Sequence, residues 1–176
     1  MSDVAEAIKA QIVDVPDFPK PGIVFKDVTP VFAHGPTLAL MVEAFAERYR
    51  GRDIQAVVGV ESRGFLLAAP IAVALGVGAV LVRKHGKLPR ATRSEKYELE
   101  YGVDHLEIHE DALAQGDRVV VVDDLLATGG TLGAARRLVQ SLGAEVVEAG
   151  FIIELGFLGG RKNLAPLECF SLVEYP

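Results

Sequence analysis

Two adjacent aspartates and a short loop of glycines and threonines carry the clearest chemical signal in the sequence. Asp123 and Asp124 follow four consecutive valines, and after two leucines the chain continues as ATGGT, residues 127–131. Carboxylates only accept hydrogen bonds, which suits the vicinal hydroxyls of a sugar. Glycines let backbone N–H groups approach an anion closely, and the threonine hydroxyls add donors. The two halves together predict a site for a sugar phosphate.

The elements on either side of this segment explain how it would be positioned. An uninterrupted valine run predicts a strand buried on both faces of a parallel sheet, and such sheets bind ligands beyond their carboxyl ends. We expect the two carboxylates to face solvent at that edge. A helix from Thr131 to Leu142 would present its positive N-terminus to the anion. The alternative is a plain strand-to-helix turn with two solubilising acids and a capping threonine.

The rest of the chain alternates between strand-like and helical patterns. Apolar runs predict strands at 55–60, 79–82, 118–122, 145–154 and 169–175. Between and before them, helical spacing predicts helices at about 64–75 and 37–50 and an amphipathic helix carrying Val4, Ile8 and Ile12. The pattern indicates an α/β fold with a central, mostly parallel sheet flanked by helices. Between Arg83 and Asp117 the alternation stops, and YELEYG and HLEIHE predict a β-hairpin around Gly102.

Composition limits the possible classes of function. The chain has 176 residues, which suits one domain. Its net charge of −6 argues against a protein whose main role is to bind nucleic acid. Its one cysteine, Cys169, excludes an internal disulfide and indicates a reducing compartment, with a buried structural thiol rather than a nucleophile. We therefore expect a cytoplasmic protein.

One segment requires a membrane test. Residues 65–82 contain no charge over eighteen positions, which is long enough to be considered as a membrane span. However, the segment contains Pro70, Gly76 and Gly78, and it fits a helix, a glycine stop and a buried strand better. The acidic beginning of the chain does not have the pattern of a secretory signal. We expect no membrane partner.

Five blocks of sequence carry a resemblance to a known family. They are FPKPGIVFKDVTPVF, ESRGF, RKHGKLP, YELEYG and VVDDLLATGGT, and they span residues 18–131. The last block resembles the phosphoribosyl-pyrophosphate signature of the type I phosphoribosyltransferases, and the five together are similar to the branch that acts on adenine. The resemblance implies a type I phosphoribosyltransferase fold in a single domain, 1–176. Within it, 1–35 would form a small hood that binds the base, and 84–108 a flexible catalytic loop and hairpin.

The resemblance also implies an activity. It is the transfer of the 5-phosphoribosyl group from 5-phosphoribosyl-1-pyrophosphate (PRPP) to adenine, which gives AMP and pyrophosphate in purine salvage. Mg²⁺ would be the cofactor, held mainly through PRPP and water. The ribose and its 5′-phosphate would contact Asp123, Asp124, Ala127, Thr128, Gly129, Gly130 and Thr131.

Basic residues in two of the blocks are candidates for the pyrophosphate site. Arg63 follows a strand, and an arginine fork suits a pair of pyrophosphate oxygens, although a surface arginine at a helix start is an equally good reading. RKHGKLPRATRSEK, residues 83–96, has six basic residues and one acid, which would focus a polyanion or simply be a solvated loop. The resemblance selects Arg83, Lys84 and Lys87 there. It also implies a homodimer in which Arg83 reaches the neighbouring site, and a non-proline cis peptide near Glu61–Ser62.

A carboxylate near the hairpin turn is the candidate catalyst. The resemblance places the catalytic glutamate at Glu100 and gives Tyr101 a part in loop closure. A carboxylate close to the purine could take the proton that the base loses as it attacks the sugar, and closure would exclude water. Spacing alone leaves Glu98 and Glu107 open as alternatives.

The segment PGIVFKD would supply the base pocket. The resemblance implies that backbone groups near Val24 and Lys26 bind the adenine edge and that Phe25 packs on the ring. Ordinary core packing is the alternative for Phe25. Many members carry arginine where this chain has Lys26, which matters only if the side chain makes the contact.

Two other functions compete with the adenine reaction. Some regulators reuse this fold to sense PRPP while binding nucleic acid, but this chain has neither the added length nor the basic balance that they usually show. A relative that uses xanthine, hypoxanthine or orotate is a nearer competitor, because a few hydrogen bonds read the edge of the base.

Overall fold

A computed structural model describes residues 2–99 and 102–176 of the chain. Within these residues the main sheet has five parallel strands, β3 (Ala56–Val60), β4 (Gly78–Lys84), β7 (Arg118–Leu126), β8 (Glu145–Leu155) and β9 (Cys169–Tyr175). An antiparallel hairpin, β5 (Thr92–Leu99) and β6 (Gly102–His109), joins one edge through the end of β4. The strand order is β5-β6-β4-β3-β7-β8-β9. The predicted α/β class and mostly parallel sheet are confirmed.

Helices cover both faces of this sheet. They are α1 (Ser2–Lys9), α2 (Thr29–Ala33), α3 (Gly35–Tyr49), α4 (Gly64–Leu75), α5 (Gly130–Ser141) and α6 (Gly160–Leu164). One apolar cluster packs around α5, and the other packs around α1, α3 and α4. The valine run of β7 divides between them, because Val119 and Val121 belong to the first cluster and Val120 and Val122 to the second. All four valines are fully buried, as the sequence predicted.

A second, two-stranded sheet lies apart from the main one. It pairs β1 (Val13–Pro16) with β2 (Val24–Asp27) in antiparallel register. Lys26 bonds Asp14 across the pair at 2.6 and 2.8 Å, and its ammonium lies 4.7 Å from the centre of the Tyr175 ring. These contacts join the small sheet to the last strand of the main sheet.

Several elements differ in extent from the sequence prediction. β7 continues through Leu126 instead of ending at Val122, because its last residues still pair with β8, for example Leu125 with Ile153. The hairpin begins at Thr92, well before the predicted YELEYG. The first helix ends at Lys9, so Ile12 lies beyond it. Gly143 follows α5 in the left-handed region at φ +85°, which is the helix stop that the sequence indicated.

The uncharged segment 65–82 folds as a helix, a turn and a strand. α4 ends at Leu75, Gly76 takes a left-handed conformation at φ +70°, and β4 begins at Gly78. Among the described residues, none of the helices is both long enough and apolar enough to cross a membrane.

Candidate active site

The carboxyl ends of β3 and β7 bring an arginine and two aspartates together. Arg63 lies in the turn between β3 and α4, and its Nε donates to Asp124 Oδ2 at 2.5 Å. Gly64 makes this approach possible, since a Cβ there would lie 2.8 Å from the Val122 carbonyl and 3.1 Å from Asp123 Oδ1. Parallel neighbouring strands end at the same edge of a sheet, so residues 60 positions apart in sequence form one site.

The two aspartates are less exposed than the sequence suggested. Both lie inside β7 rather than after it, and Asp124 is only 5% exposed. The expectation that both carboxylates face solvent is therefore wrong for Asp124, because the strand continues past it and Arg63 covers it. Asp123 is partly buried, and its Oδ1 accepts the backbone N–H of Asp124 at 2.9 Å.

The electrostatics of this pair are unbalanced in favour of negative charge. Burial, reinforced by the negative charge of Asp124, raises the pKa of Asp123 well above its usual range. Arg63 opposes that shift but does not cancel it. A carboxyl perturbed by burial and by a neighbouring acid, next to a cavity, is a candidate binding group.

The loop 127–131 has the geometry of an anion site. Gly129 occupies the N-cap position of α5 at φ +84°, and no side chain caps the helix there. The first amides of a helix have no partner within the helix, so they point outward and can bind an anion. Residues from α6 fix the loop from behind: Asn163 Nδ2 donates to the Thr128 carbonyl at 3.0 Å, and a Cβ on Gly160 would lie 2.3 Å from the Ala127 carbonyl.

Two adjoining cavities connect these groups. One, of about 190 Å³, is lined by Arg63, Phe151 and residues 123–132. The other, of about 510 Å³, is lined by Glu61, Ser62, Arg63, Lys84, Lys87, Tyr97, Asp123, Asp124 and Thr131. They share Arg63, both aspartates and Thr131, so the described residues form one groove with the phosphate loop at one end and basic side chains at the other. A third hollow, of about 580 Å³, lies on the hairpin side of the same loop.

Glu61, which lines the wider cavity, contacts the basic end of the groove from the cavity side. Glu61 bonds the Lys87 ammonium, accepts the Lys84 backbone N–H at 2.9 Å and accepts Arg83 Nε at 3.3 Å. The structure thus brings Lys84 and Lys87 to the cavity together with Arg63. Arg83 does not line it, because its guanidinium points to Glu61 and the Lys87 carbonyl and lies 5.9 Å from the Phe65 ring. The Glu61–Ser62 peptide is cis, as the resemblance implied.

Comparison with known proteins identifies the family to which this arrangement belongs. The model of the phosphoribosyl transferase domain matches residues 28–173. The chain belongs to the phosphoribosyl transferase domain family. It is 56% identical over 170 residues to the adenine phosphoribosyltransferase of Serratia proteamaculans (strain 568), covering 96% of this chain and 86% of that protein.

Solved phosphoribosyltransferase structures have the same fold. The crystal structure of adenine phosphoribosyltransferase from Thermoanaerobacter pseudethanolicus superposes with a TM-score of 0.93 at 51% identity, over 97% of this chain and 99% of that one. The enzyme from Saccharomyces cerevisiae, solved with an imino-altritol bisphosphate and adenine, gives 0.93 at 41% identity, over 98% and 99% of the two chains. The family predicted from the five sequence blocks is confirmed.

Of the predicted base-binding residues, Phe25 lies beside a residue that lines the groove. Phe25 packs edge-on against Phe18 at 5.2 Å between ring centres, and the Arg63 guanidinium is 6.0 Å from its ring. Val24 is half exposed on the same strand. The Lys26 side chain is already bound to Asp14, so a contact between Lys26 and a base would be made by its main chain.

The catalytic and loop-closing candidates, Glu100 and Tyr101, lie outside the described residues. Of the two alternatives for the catalyst, Glu98 is on β5, and Glu107 is buried on β6 with its carboxylate bonded to His85 and the Gly86 amide. Glu107 is not among the residues that line the groove. The position of Glu107 outside the groove therefore does not support a direct role in the reaction.

Sequence reasoning missed the residues that support this site. Glu61, Gly160 and Asn163 each act on a segment far away in the chain, and no local pattern marks them. Cys169 is half buried, and burial raises the pKa of its thiol to about 11, so little thiolate exists at neutral pH. This fits the structural role expected for the thiol.

Proposed function

We propose that this protein transfers the 5-phosphoribosyl group of PRPP to adenine, forming AMP and pyrophosphate. The observation that carries the proposal is the groove at the carboxyl edge of the sheet, where an anion-binding loop adjoins two aspartates and a basic end. The relatives of highest similarity described above bear the name adenine phosphoribosyltransferase. A sugar carrying a phosphate at one end and a pyrophosphate at the other matches the order of groups along the groove.

The ribose and its 5′-phosphate would occupy the narrow end. Amides of Ala127, Thr128, Gly129, Gly130 and Thr131, with the threonine hydroxyls, would bind the phosphate. Asp123 and Asp124 would accept the ribose hydroxyls. Because positive charge develops on the ribose ring as the bond to pyrophosphate breaks, the same carboxylates would stabilise the transition state.

The pyrophosphate would lie at the basic end, against Arg63, Lys84 and Lys87. The two aspartates at this edge fit the needs of Mg²⁺, which is usually bound by one or two carboxylates together with substrate phosphates and water. We propose that PRPP and water supply most of the coordination. The ion would offset the charge of the leaving group.

Adenine would bind between the small sheet and the groove. We propose that residues 1–35 act as a hood, with main-chain groups of Val24 and Lys26 at the edge of the base and Phe25 against its face. Phe25 lies near Arg63, which supports a base site next to the proposed sugar site. The anchoring of Lys26 to Asp14 supports a main-chain contact, and it explains how lysine could replace the arginine common in the family.

Catalysis is proposed for Glu100, with Tyr101 taking part in the closure of the hairpin segment over the site. Glu100 would manage the proton that the purine loses, a role that typically contributes 10²–10⁴-fold to the rate. Glu100→Ala should therefore lower kcat by at least about 100-fold while PRPP still binds. Steady-state kinetics and PRPP calorimetry measure the two effects, and unchanged turnover would refute the role.

We also propose a homodimer that forms through the outer face of α4 and the free edge of β4. Leu66, Val73 and Leu81 are exposed there, Val73 by 82%, and the whole segment 65–82 is uncharged. On one side β4 pairs with β3. On its other side, the described strand that pairs with β4 is β6, and it contacts only Arg83 and Lys84. Exposed apolar surface of this extent is typical of an interface. Arg83 follows this edge of β4 directly, which would allow it to reach the neighbouring subunit. Sedimentation of the Val73→Glu variant as a monomer would support the proposed dimer interface.

The reaction is tested with a panel of free bases. Purified protein, PRPP and Mg²⁺ are incubated with adenine, hypoxanthine, xanthine or orotate, and the nucleotide products are separated by chromatography. The proposal predicts AMP from adenine and little product from the others. A dominant product from another base would refute the assignment.

We place the reaction in the cytoplasm, because the free thiol of Cys169 and the absence of any second cysteine suit a reducing compartment.

A further inference from the structure

The basic turn 83–87 is held between two carboxylates, the partly buried Glu61 and the buried Glu107, that approach it from different sides. Glu61 follows β3 and contacts the turn from the groove side, and Glu107 on β6 contacts it from the other side. Each carboxylate accepts a backbone N–H of the turn as well as a side-chain donor. The turn therefore has a defined shape before any ligand arrives.

Glu61 binds both ends of the turn. It accepts the Lys84 amide and pairs with the Lys87 ammonium, while Arg83 Nη1 donates to the Lys87 carbonyl at 3.1 Å and closes the turn. Burial alone would raise the pKa of Glu61, but bonds from Lys87 and from the Lys84 amide keep the pKa below its usual value. The carboxylate therefore remains charged at neutral pH.

Glu107 binds the middle of the turn. Its Oε2 accepts the Gly86 N–H at 3.0 Å, and its Oε1 lies 2.6 Å from His85 Nδ1. The carboxylate is 5% exposed, whereas His85 is largely exposed. Gly86 adopts φ +75°, so this position needs the freedom of glycine, and the Glu107 bond fixes the amide of that residue.

We propose that Glu107 is a positioning residue for pyrophosphate, acting with Glu61 to hold the cationic turn in its binding shape. This inference rests on the proposed function. Three cations within five residues repel one another, and without an internal anion the turn would open toward solvent. A turn that is already ordered binds a polyanion more tightly, since less conformational entropy is lost on binding. Lys87 retains further N–H groups for a ligand while it bonds Glu61.

Glu107→Gln tests this proposal, because the residue lies outside the groove and can affect the ligand only through the turn. Calorimetry should show pyrophosphate with Mg²⁺ binding roughly tenfold more weakly, because a less ordered turn loses more conformational entropy on binding. Binding of AMP should stay within about twofold, since the AMP groups proposed above do not meet the turn. The KM for PRPP should rise, while kcat at saturating PRPP and the KM for adenine stay unchanged.

Two further variants make the result decisive. Glu110→Gln changes an exposed acid just beyond the end of the same strand and should bind pyrophosphate as the wild type does. His85→Ala breaks the same contact from its exposed side, so it should weaken pyrophosphate binding in the same direction even if Glu107→Gln fails to fold. Wild-type pyrophosphate affinity in both turn variants, or an equal loss of AMP and pyrophosphate binding, would overturn the proposal. The binding measurement needs no turnover, so it is independent of which base the enzyme uses.

Discussion

Two sites in this protein pair carboxylates with arginines, but in opposite proportions. On β8, the fully buried Glu148 receives two hydrogen bonds from Arg48, at 2.7 and 2.6 Å, and lies 3.3 Å from Arg52. At the carboxyl edge of the sheet, Asp123 and Asp124 have Arg63 as their paired arginine. One site has two arginines for one acid, and the other has two acids for one arginine.

The proportions change the chemistry of the acids. Burial would raise the pKa of Glu148, but Arg48 and Arg52 lower it below the usual value. Burial and the neighbouring Asp124 instead raise the pKa of Asp123. The Glu148 site, with an excess of arginine, serves to fix α3 to the sheet. The Asp123–Asp124 site, with an excess of acid, has a perturbed carboxyl beside a cavity, which favours a binding role.

The largest expected effect is on stability, at the Glu148 site. Arg48→Ala would leave Glu148 buried with only Arg52 nearby, and breaking a buried pair in this way typically costs about 3–5 kcal/mol. We expect about 3 kcal/mol, because Arg48 is partly exposed, with kcat of the folded protein unchanged. Urea denaturation measures the loss. Arg50→Ala removes an exposed pair with Glu43 and serves as the control; equal midpoints for both variants would contradict the comparison.

The next effect is on binding, at the Asp123–Asp124 site. Asp124→Asn should lower kcat/KM for PRPP about 10- to 100-fold, because a hydrogen bond to a charged group contributes roughly 1.5–3 kcal/mol. Stability should change little, since Arg63 can turn to water and the repulsion between the two acids is removed. Kinetics and a denaturation curve on the same sample give both values. A variant that lost stability but kept its PRPP kinetics would place Asp124 with Glu148 instead.

A smaller effect is expected from the backbone of the phosphate loop. Gly129→Ala would force a side chain into φ +84° and within 3.0 Å of the Gly160 carbonyl, at a cost of about 1–3 kcal/mol. Gly51→Ala is a matched control, because Gly51 has φ +75° and no neighbour within 4 Å of its Cβ position. Calorimetry with AMP should show weaker binding for Gly129→Ala alone. Equal AMP affinity in the two variants would remove the loop from the site.

The smallest effect is a pH dependence of opposite sign at the two sites. Because the pKa of Asp123 is raised above 3.8 in the folded protein, ionising it lowers stability as the pH rises through that folded pKa. Asp123→Asn should therefore be more stable than the wild type at neutral pH and show no gain below pH 3.8. Glu148, with a pKa lowered from 4.5, stabilises the fold above pH 4.5 and loses this effect as the pH falls. Denaturant midpoints across pH 3–8 test both trends; a gain for Asp123→Asn that did not vary with pH would contradict the first.

The repeating core of the fold could be predicted from the sequence. Runs such as Val119–Val122 and the glycine stops at Gly76 and Gly143 identify buried strands and helix ends through local chemistry alone. Asp123, Asp124 and Arg63 could be assigned to one edge, because parallel strands share the direction of their carboxyl ends. The strand order, in which β3 lies next to β7, then brings these three residues together.

Other features depend on contacts that no local pattern records. β1 and β2 have four residues each and none of these is fully buried, so neither shows a clear alternation. The burial of Asp124 depends on Arg63, and the shape of the basic turn depends on Glu61 and Glu107, which lie more than twenty residues away from the residues they hold. Long-range ion pairs of this kind are visible only once the strands are placed side by side.

A crystal structure with AMP bound is the most direct test of the proposed ligand site. The 5′-phosphate should bind the amides of residues 127–131, and both ribose hydroxyls should lie within hydrogen-bonding distance of Asp123 or Asp124. A nucleotide bound elsewhere, with that loop empty, would contradict the assignment of the groove.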